Sequence, residues 1–420
     1  MTTYRASGSA MRLHRRQRAN LRLRLLVGLG GLAVLVIALV IVQVLRAVPE
    51  PALNPESALP VAFPGRAPSL PWPAQGEAVV ALAGVGTIGA TGGSQPTPIA
   101  SLTKVMSAIV VLHDHPLSLG HQGPRITVTP ADVALFQREQ SQGDSVVAVR
   151  AGERISEYEA LEGALVPSGD NIVRMLARWD AGSVGAFVAK MNATARALGL
   201  AHTHYAGPSG VDPASVSTAA DQSRLAQFAI ANPVLAHIVA KAQVTLPVAG
   251  VQYNVNSDLG KNGIVGVKTG WIPAGGASFA FAADARAHAR SEIVIGAVVG
   301  EQGATPLPTA LAAGRHLAAA ASTALRAEQI VARGATVGTL RVSYAPPVPA
   351  VVTRAVRVVG WSGARIVSSL TVAPTLRVPV ARGTRVGTLT VRVGSEQVRV
   401  PLVAGAALPQ PSLGWRITRL

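Results

Sequence analysis

Apolar residues fall along this chain in several distinct rhythms. The segment 25–45 forms an unbroken run, LLVGLGGLAVLVIALVIVQVL, with no charge and only Gln43 polar. Recurrence at three- and four-residue spacing over 101–113, 157–179, 184–198 and 308–326 predicts amphipathic helices. Short apolar runs, one from Glu77 (AVVALAG) and others at 263–268, 278–283 and 293–299, predict strands. Helices enclosed between early and late strands predict an α+β domain, its sheet built from both ends of the segment. From about residue 328 the texture changes to valine-rich stretches separated by Gly and Pro, which predicts a small all-β C-terminal domain. That region contains an echo: ARGATVGTL at 332–340 returns as ARGTRVGTL at 381–389, which suggests two related hairpin units.

The first run sets the boundaries at the front of the chain. As a helix, the run from Leu25 to Leu45 spans about 32 Å, enough for a hydrocarbon core of about 30 Å. The run exceeds a signal-peptide core and no close Ala-x-Ala site follows, so an uncleaved transmembrane signal-anchor is expected. Seven arginines (Arg5, Arg12, Arg15, Arg16, Arg18, Arg22, Arg24) crowd the segment before that run and predict a cytoplasmic tail, with everything after Arg46 outside. Eight prolines over 47–75 predict a semi-rigid spacer. The expected organisation is a tail at 1–24, the anchor at 25–45, a linker at 46–75, a main domain at 76–327 and a β domain at 328–420.

Composition narrows the classes. Of 420 residues, 49% are hydrophobic and 14% charged, which excludes a disordered chain. With no cysteine there is no disulfide framework, thiolate metal site or Cys nucleophile. The net charge of +17 raises nucleic-acid binding. Aromatics are only 4%, however, and outside the tail the arginines are scattered, so no nucleic-acid partner is expected. A basic exterior also suits an anionic wall polymer or lipid surface.

Three motifs in the main domain carry chemistry. Ser101-Leu102-Thr103-Lys104 follows Pro98 at a helix entry, which places Ser101 and Lys104 one turn apart on one face. Burial of a lysine there disfavours the ammonium and lets the amine take the serine proton. Ser168-Gly169-Asp170-Asn171 comes second, and Lys268-Thr269-Gly270 comes third, at the end of an apolar strand. Lys268 and Thr269 offer a cation and a hydroxyl to a carboxylate. Each motif alone is a loop serine, a solvated lysine or a turn glycine; their order is that of the penicillin-binding and β-lactamase superfamily. The chain holds only five lysines against 33 arginines, and two of the five lie in these motifs.

On these residues the chain resembles the D-alanyl-D-alanine carboxypeptidase family of low-molecular-weight penicillin-binding proteins. ASLTKVMSA, EALEGALVPSGDNIVRMLA, FVAKMNATARALGLAHTHYAGPSGVDP and GIVGVKTGWIPAGGASFAFAA carry the resemblance. It implies a β-lactamase/transpeptidase-like fold with Ser101 as acylated nucleophile, Lys104 as base and Ser168 as proton relay. It further implies that Lys268 and Thr269 bind the substrate's terminal carboxylate, that Asp170 and Asn171 also belong to the substrate-binding set, and that the backbone N–H groups of Ser101 and Trp271 form the oxyanion hole. The implied partners are the peptidoglycan pentapeptide, β-lactams as covalent inhibitors and, through the anchor, the membrane; no cofactor or metal is implied. One position departs: the second motif has Asp170 where the family has Asn, with Asn171 next. Either Asp170 pairs with Lys104, or the loop shifts and Asn171 fills the place. The same departure supports a rival reading, a catalytically impaired scaffold or wall-binding protein. A class A β-lactamase needs a Glu between the second and third motifs, and none stands between Glu162 and Glu292. The pairs His113/His115 and His202/His204 lack an HExxH context, and Gly84-Val85-Gly86 lacks the rest of a dinucleotide pattern.

Overall fold

The computed structural model describes residues 8–56, 59–287, 290–374 and 376–419, with side chains from residue 18 onward. Arg5 and the side chains of Arg12, Arg15 and Arg16 lie outside the described residues. The chain enters one long helix, α1 (Gly8–Leu45). Its stretch from Arg18 to Leu45 is long and apolar enough to cross a membrane and none of it is buried. From Gly8 onward the basic segment and the apolar run are thus one continuous helix, because Arg and Leu are both good helix formers.

The expected spacer at 46–75 is instead woven into the fold. Strand β1 (Ala52–Pro55) pairs antiparallel with Thr336–Val342, Ala52 opposite Arg341 and Pro55 opposite Gly338. Ala62 bridges Arg365, and Phe63 and Leu70 are buried. The prolines signal extended backbone correctly, but an edge strand tolerates them as well as a spacer does. The apolar residues between them need a surface to cover.

The main unit begins with strands β2 (Glu77–Leu82) and β3 (Gly86–Thr91). Helices α2 (Thr103–Asp114), α3 (Pro130–Gln142), α4 (Glu157–Leu165), α5 (Asp170–Ala181), α6 (Val184–Ala197), α7 (Ala219–Ala231) and α8 (Pro233–Val239) follow. Strands β4 (Ile264–Ile272), β5 (Gly276–Ala287) and β6 (Arg290–Glu301) and helix α9 (Pro306–Ala324) close it. The sheet order is β4-β5-β6-β2-β3, antiparallel throughout, with β4 at one edge. Period-two alternation feeds two cores. Val80, Leu82, Phe279 and Phe281 join Ala310 and Leu317 of α9, while Val79, Ala280, Ala282 and Ile295 join Met106, Leu161 and Leu176 of the helical cluster. Each fully buried Phe or Leu contributes roughly 1.5–3 kcal/mol.

The helical pattern over 157–179 is two helices, not one. Ser156 and Glu159 form a capping box that starts α4. Helix α4 ends at Leu165, Ser168 takes a left-handed φ of 68°, and α5 starts afresh at Asp170. The break is what exposes the second motif to its neighbours.

Strand β7 (Leu325–Val331) follows α9 without a linker, so the change of texture at 328 falls inside a strand. Next come β8 (Thr336–Val342), β9 (Ala345–Val352), β10 (Val356–Trp361), β11 (Ile366–Val372), β12 (Arg385–Val393) and β13 (Glu396–Ala404). Strands β7 and β10 pair, and the others form a sheet with β1 in the order β1-β8-β9-β13-β12-β11. The echo is structural. Gly334 N–H donates to Val352 O and Val352 N–H to Ala335 O; Gly383 N–H donates to Ala404 O and Ala404 N–H to Thr384 O. The two hairpins meet along β9 and β13. The buried side chains of this β unit and those under α9 form one continuous core. A short helix, α10 (Leu413–Thr418), ends against α1.

Candidate active site

Ser101 lies in a single 3-10 turn (Ala100–Leu102) that feeds α2, preceded by Ala100 at φ 49°. One turn on, Lys104 is fully buried, and its Nζ donates to Ser101 Oγ at 2.6 Å and to Ser209 O at 3.1 Å. Asp170 Oδ1 stands 2.7 Å from the same Nζ, with side-chain exposures of 0% for Lys104 and 4% for Asp170. All three contacts converge on one nitrogen.

Edge strand β4 lies against the nucleophile turn. A Cβ at Gly270 would meet Ile99 O at 2.8 Å and Ser101 N at 2.9 Å, so only glycine lets the strand approach. The 206–210 turn also packs against the nucleophile turn. Gly210 has φ 84°, and a Cβ there would run into Ala100 O; Pro208 O accepts a hydrogen bond from Ser107 Oγ. Lys268 and Thr269, just before Gly270, are both buried. The Lys268 amine donates to Thr269 O at 3.1 Å. Burial, reinforced by the nearby charge of Lys104 and partly opposed by Asp170, pushes its pKa down to about 7. Trp271 follows on the same strand with its side chain half exposed.

The second motif divides its residues. Ser168 is buried in the α4–α5 loop, two residues before Asp170. Asp170 faces Lys104, but Asn171 does not. Its Oδ1 accepts from Val147 N–H and its Nδ2 donates to Val147 O, so the backbone of Val147 engages the amide expected to face substrate. Both of its amide groups are spent on pinning the 144–147 loop, whose Ser145 O also accepts Asp170 N–H at 2.7 Å. Two amines, Lys104 and Lys268, and the Asp170 carboxylate thus share a buried site.

Sequence reasoning missed the outer ring of this site. Arg174 Nε pairs with Glu139 at 2.8 Å, and burial pushes the Glu139 carboxyl up to about 7 despite that partner. Asp144 is likewise raised, first by burial and then by the charge of Asp170. Ser209 contributes only a backbone carbonyl, which no side-chain motif announces; the Gly-rich AGPSG turn was the available signal. The histidines serve elsewhere. His115 pairs with Asp180 at 3.3 Å and stacks on Trp179, and His204 exchanges backbone bonds with Val216. Among the described residues no three His, Asp or Glu side chains gather as a metal site.

A buried amine in hydrogen-bond contact with a serine hydroxyl, beside a second cation and a strand edge, is equipped for acyl transfer to serine. Comparison with known proteins agrees with that chemistry. The family model for D-alanyl-D-alanine carboxypeptidases matches residues 80–301, more than half of the chain. The chain belongs to the D-alanyl-D-alanine carboxypeptidase family. A D-alanyl-D-alanine carboxypeptidase of Mycobacterium tuberculosis is 35% identical over 193 residues, 44% of this chain and 62% of that protein. A D-alanyl-D-alanine endopeptidase of Pseudomonas aeruginosa is 39% identical over 128 residues, 30% of this chain and 38% of that protein. The chain therefore spans less than two thirds of the length of these relatives. Penicillin binding protein 5 from Haemophilus influenzae shares the fold at a TM-score of 0.58 and 19% identity, covering 81% of this chain and 99% of its own. A Streptomyces DD-transpeptidase shares it at a TM-score of 0.52 and 24% identity, covering 59% of this chain and 97% of its own.

Proposed function

We propose that this chain is a serine-type D-Ala-D-Ala carboxypeptidase that acts on the pentapeptide stems of peptidoglycan and is acylated by β-lactams. The observation that carries this reading is the 2.6 Å contact between Lys104 Nζ and Ser101 Oγ, made beside the Lys268-Thr269-Gly270 strand edge. In the resting site Lys104 is the positive half of an ion pair with Asp170. Base catalysis draws on the fraction in which an Nζ proton has passed to Asp170 or to solvent, leaving a lone pair turned to Ser101 Oγ.

Ser101 Oγ then attacks the carbonyl carbon of the penultimate D-alanine while its proton goes to Lys104. The oxyanion is held by the backbone N–H groups of Ser101 and Trp271. The C–N bond to the terminal D-alanine breaks, and its amine takes a proton relayed through Ser168. Water attacks the resulting ester, the C–Oγ bond breaks, and Ser101 recovers its proton. Lys268 and Thr269 bind the terminal carboxylate, whose negative charge favours the ammonium form of Lys268 on binding. Helix α1 acts as a single-pass signal-anchor in the bacterial cytoplasmic membrane, with its arginine-rich start inside and the catalytic unit outside.

The test is covalent labelling of the full-length chain in detergent with a fluorescent penicillin, beside release of D-alanine from a pentapeptide. The expected result is a labelled band and free D-alanine, both lost in Ser101→Ala. A folded chain that takes no label, or label that survives Ser101→Ala, overturns the reading.

A further inference from the structure

Helix α2 carries Lys104 in its first turn and a second, separate cluster at its other end. Asp114 closes the helix, ten residues and about 15 Å beyond Lys104. From there the 115–124 segment leads round to the start of α4 and borders a pocket of about 540 Å³. Asp114, His115, Leu117, His121, Gly123 and Glu157 help to line it, and no lysine or arginine is among the lining residues.

Glu157 forms the floor of this pocket. It is fully buried, and neither of its carboxylate oxygens meets a hydrogen-bond partner. The needs of the helix end do not account for it. Glu157 N–H donates to Pro124 O at 2.9 Å, Tyr158 N–H to Gln122 O at 3.1 Å and Glu159 N–H to Ser156 Oγ at 3.1 Å. The first donors of α4 are therefore served by other groups. Gly123, at φ 69°, lies over the carboxylate, and a Cβ there would stand 2.6 Å from Glu157 Oε2. The neighbouring acids differ from Glu157: Asp114 and Asp180 both pair with Lys190 Nζ, at 2.6 and 2.7 Å, and His115 Nε2 stands 3.3 Å from Asp180 Oδ1. Burial, and then the charge of Asp180, push the Glu157 carboxyl up to about 7. Once ionised it is a buried negative charge facing a pocket that holds no lysine or arginine, in a chain of net charge +17.

We propose that this pocket binds a primary ammonium group, with Glu157 as its counter-ion. A buried carboxylate without a partner is costly, and an ammonium brings it both a charge and hydrogen-bond donors. The exposed side chains of Asp114 and His121 offer further acceptors at the rim. A divalent metal is the poorer fit, because among the described residues no three His, Asp or Glu side chains gather to hold one. The ammonium belongs to a free amine or to the side chain of a peptide, and the chemistry of recognition is the same for both. The pocket lies a helix length away from Ser101, so the proposal stands apart from the acyl-transfer reading.

The test is isothermal titration of the full-length chain in detergent at about pH 8, where Glu157 is largely ionised and an alkyl amine is charged. The probes are pentane-1,5-diamine, Nα-acetyl-lysine methylamide and the Nε-acetylated form of the latter, which has no charge. At least one of the two amines is expected to bind, and the acetylated form is not. Binding of the diamine alone assigns the site to free amines, of the lysine derivative alone to peptide side chains, and of both to the ammonium itself. Glu157→Gln is expected to weaken binding roughly tenfold or more, the loss of a charge-assisted contact. A second measurement needs no variant: amide hydrogen exchange over 117–124 and 157–160 should slow when the amine is bound. The proposal is overturned if neither amine binds, if the acetylated form binds as well as the amine, if Glu157→Gln keeps its affinity, or if exchange over those segments does not change.

Discussion

Asp170 Oδ1 stands 2.7 Å from Lys104 Nζ, and both side chains are sealed from solvent. The carboxylate therefore works against the loss of a proton from the amine that has to act as base. Asp170→Asn keeps the shape of the site and removes that attraction. It is expected to raise the second-order rate of penicillin acylation roughly tenfold, equivalent to about 1.4 kcal/mol. Stopped-flow acylation of both proteins measures it, and a slower variant would show that Asp170 is needed as proton acceptor.

The same pair makes a stability prediction. Lys104→Met leaves Asp170 buried without its cation and is expected to cost about 3–5 kcal/mol. Adding Asp170→Asn to that variant should return most of the loss. Denaturant melts of the single and double variants decide it: if the losses add, the pair is not coupled.

Lys268, with its pKa near 7, gives the free site an alkaline limb. Carboxylate binding needs the ammonium, so acylation kcat/KM should fall as pH rises through about 7, and Lys268→Arg, charged throughout, should flatten that fall. The linkage to folding has the opposite sign. Between about pH 7 and 10.5 the unfolded chain holds a proton on this lysine that the folded chain does not, so its contribution favours folding increasingly as pH rises. A pH–rate profile without a limb near 7 would count against both.

Far from the nucleophile, Glu157 is buried at the start of α4 with neither carboxylate oxygen hydrogen-bonded, and burial pushes its pKa up to about 7. The folded chain therefore takes up a proton before the unfolded one does, and stability falls as pH rises from about 4.5 to 7. Glu157→Gln is expected to gain about 2 kcal/mol at pH 8 and little at pH 4.5. A gain equal at both pH values would point to packing instead of charge.

Gly270→Ala tests the contact between strand and nucleophile turn. The added methyl has to push Ile99 O or Ser101 N aside, and a displacement of that size should cost about a hundredfold in acylation. The melting temperature should change far less than the rate, since the strand stays paired to β5. Unchanged kinetics would mean that the turn yields without moving Ser101 Oγ.

The three motifs were legible because each uses a side chain in a role that few residue types fill. Lys104 and Lys268 stood out in a chain that otherwise favours arginine, and short apolar runs marked β4 to β6. What stayed hidden has a physical cause in each case. The amide of Asn171 is absorbed by the backbone of Val147, and local sequence does not say which of two adjacent polar residues turns inward. Ser209 acts through a carbonyl every residue possesses. Proline density in 46–75 reports extended backbone and nothing about a pairing partner, and that partner, Thr336–Val342, belongs to the far end of the chain.

That last pairing sets an order of events during synthesis. Ala52–Pro55 leaves the ribosome about 280 residues ahead of Thr336–Val342, so the strand must wait unpaired until its partner has been made. Such distant partners fold slowly, and a waiting edge strand is exposed to wrong pairing in the meantime. Four residues with a proline at their end form a poor template for that. The short, proline-marked strand is suited to a long wait for a distant partner.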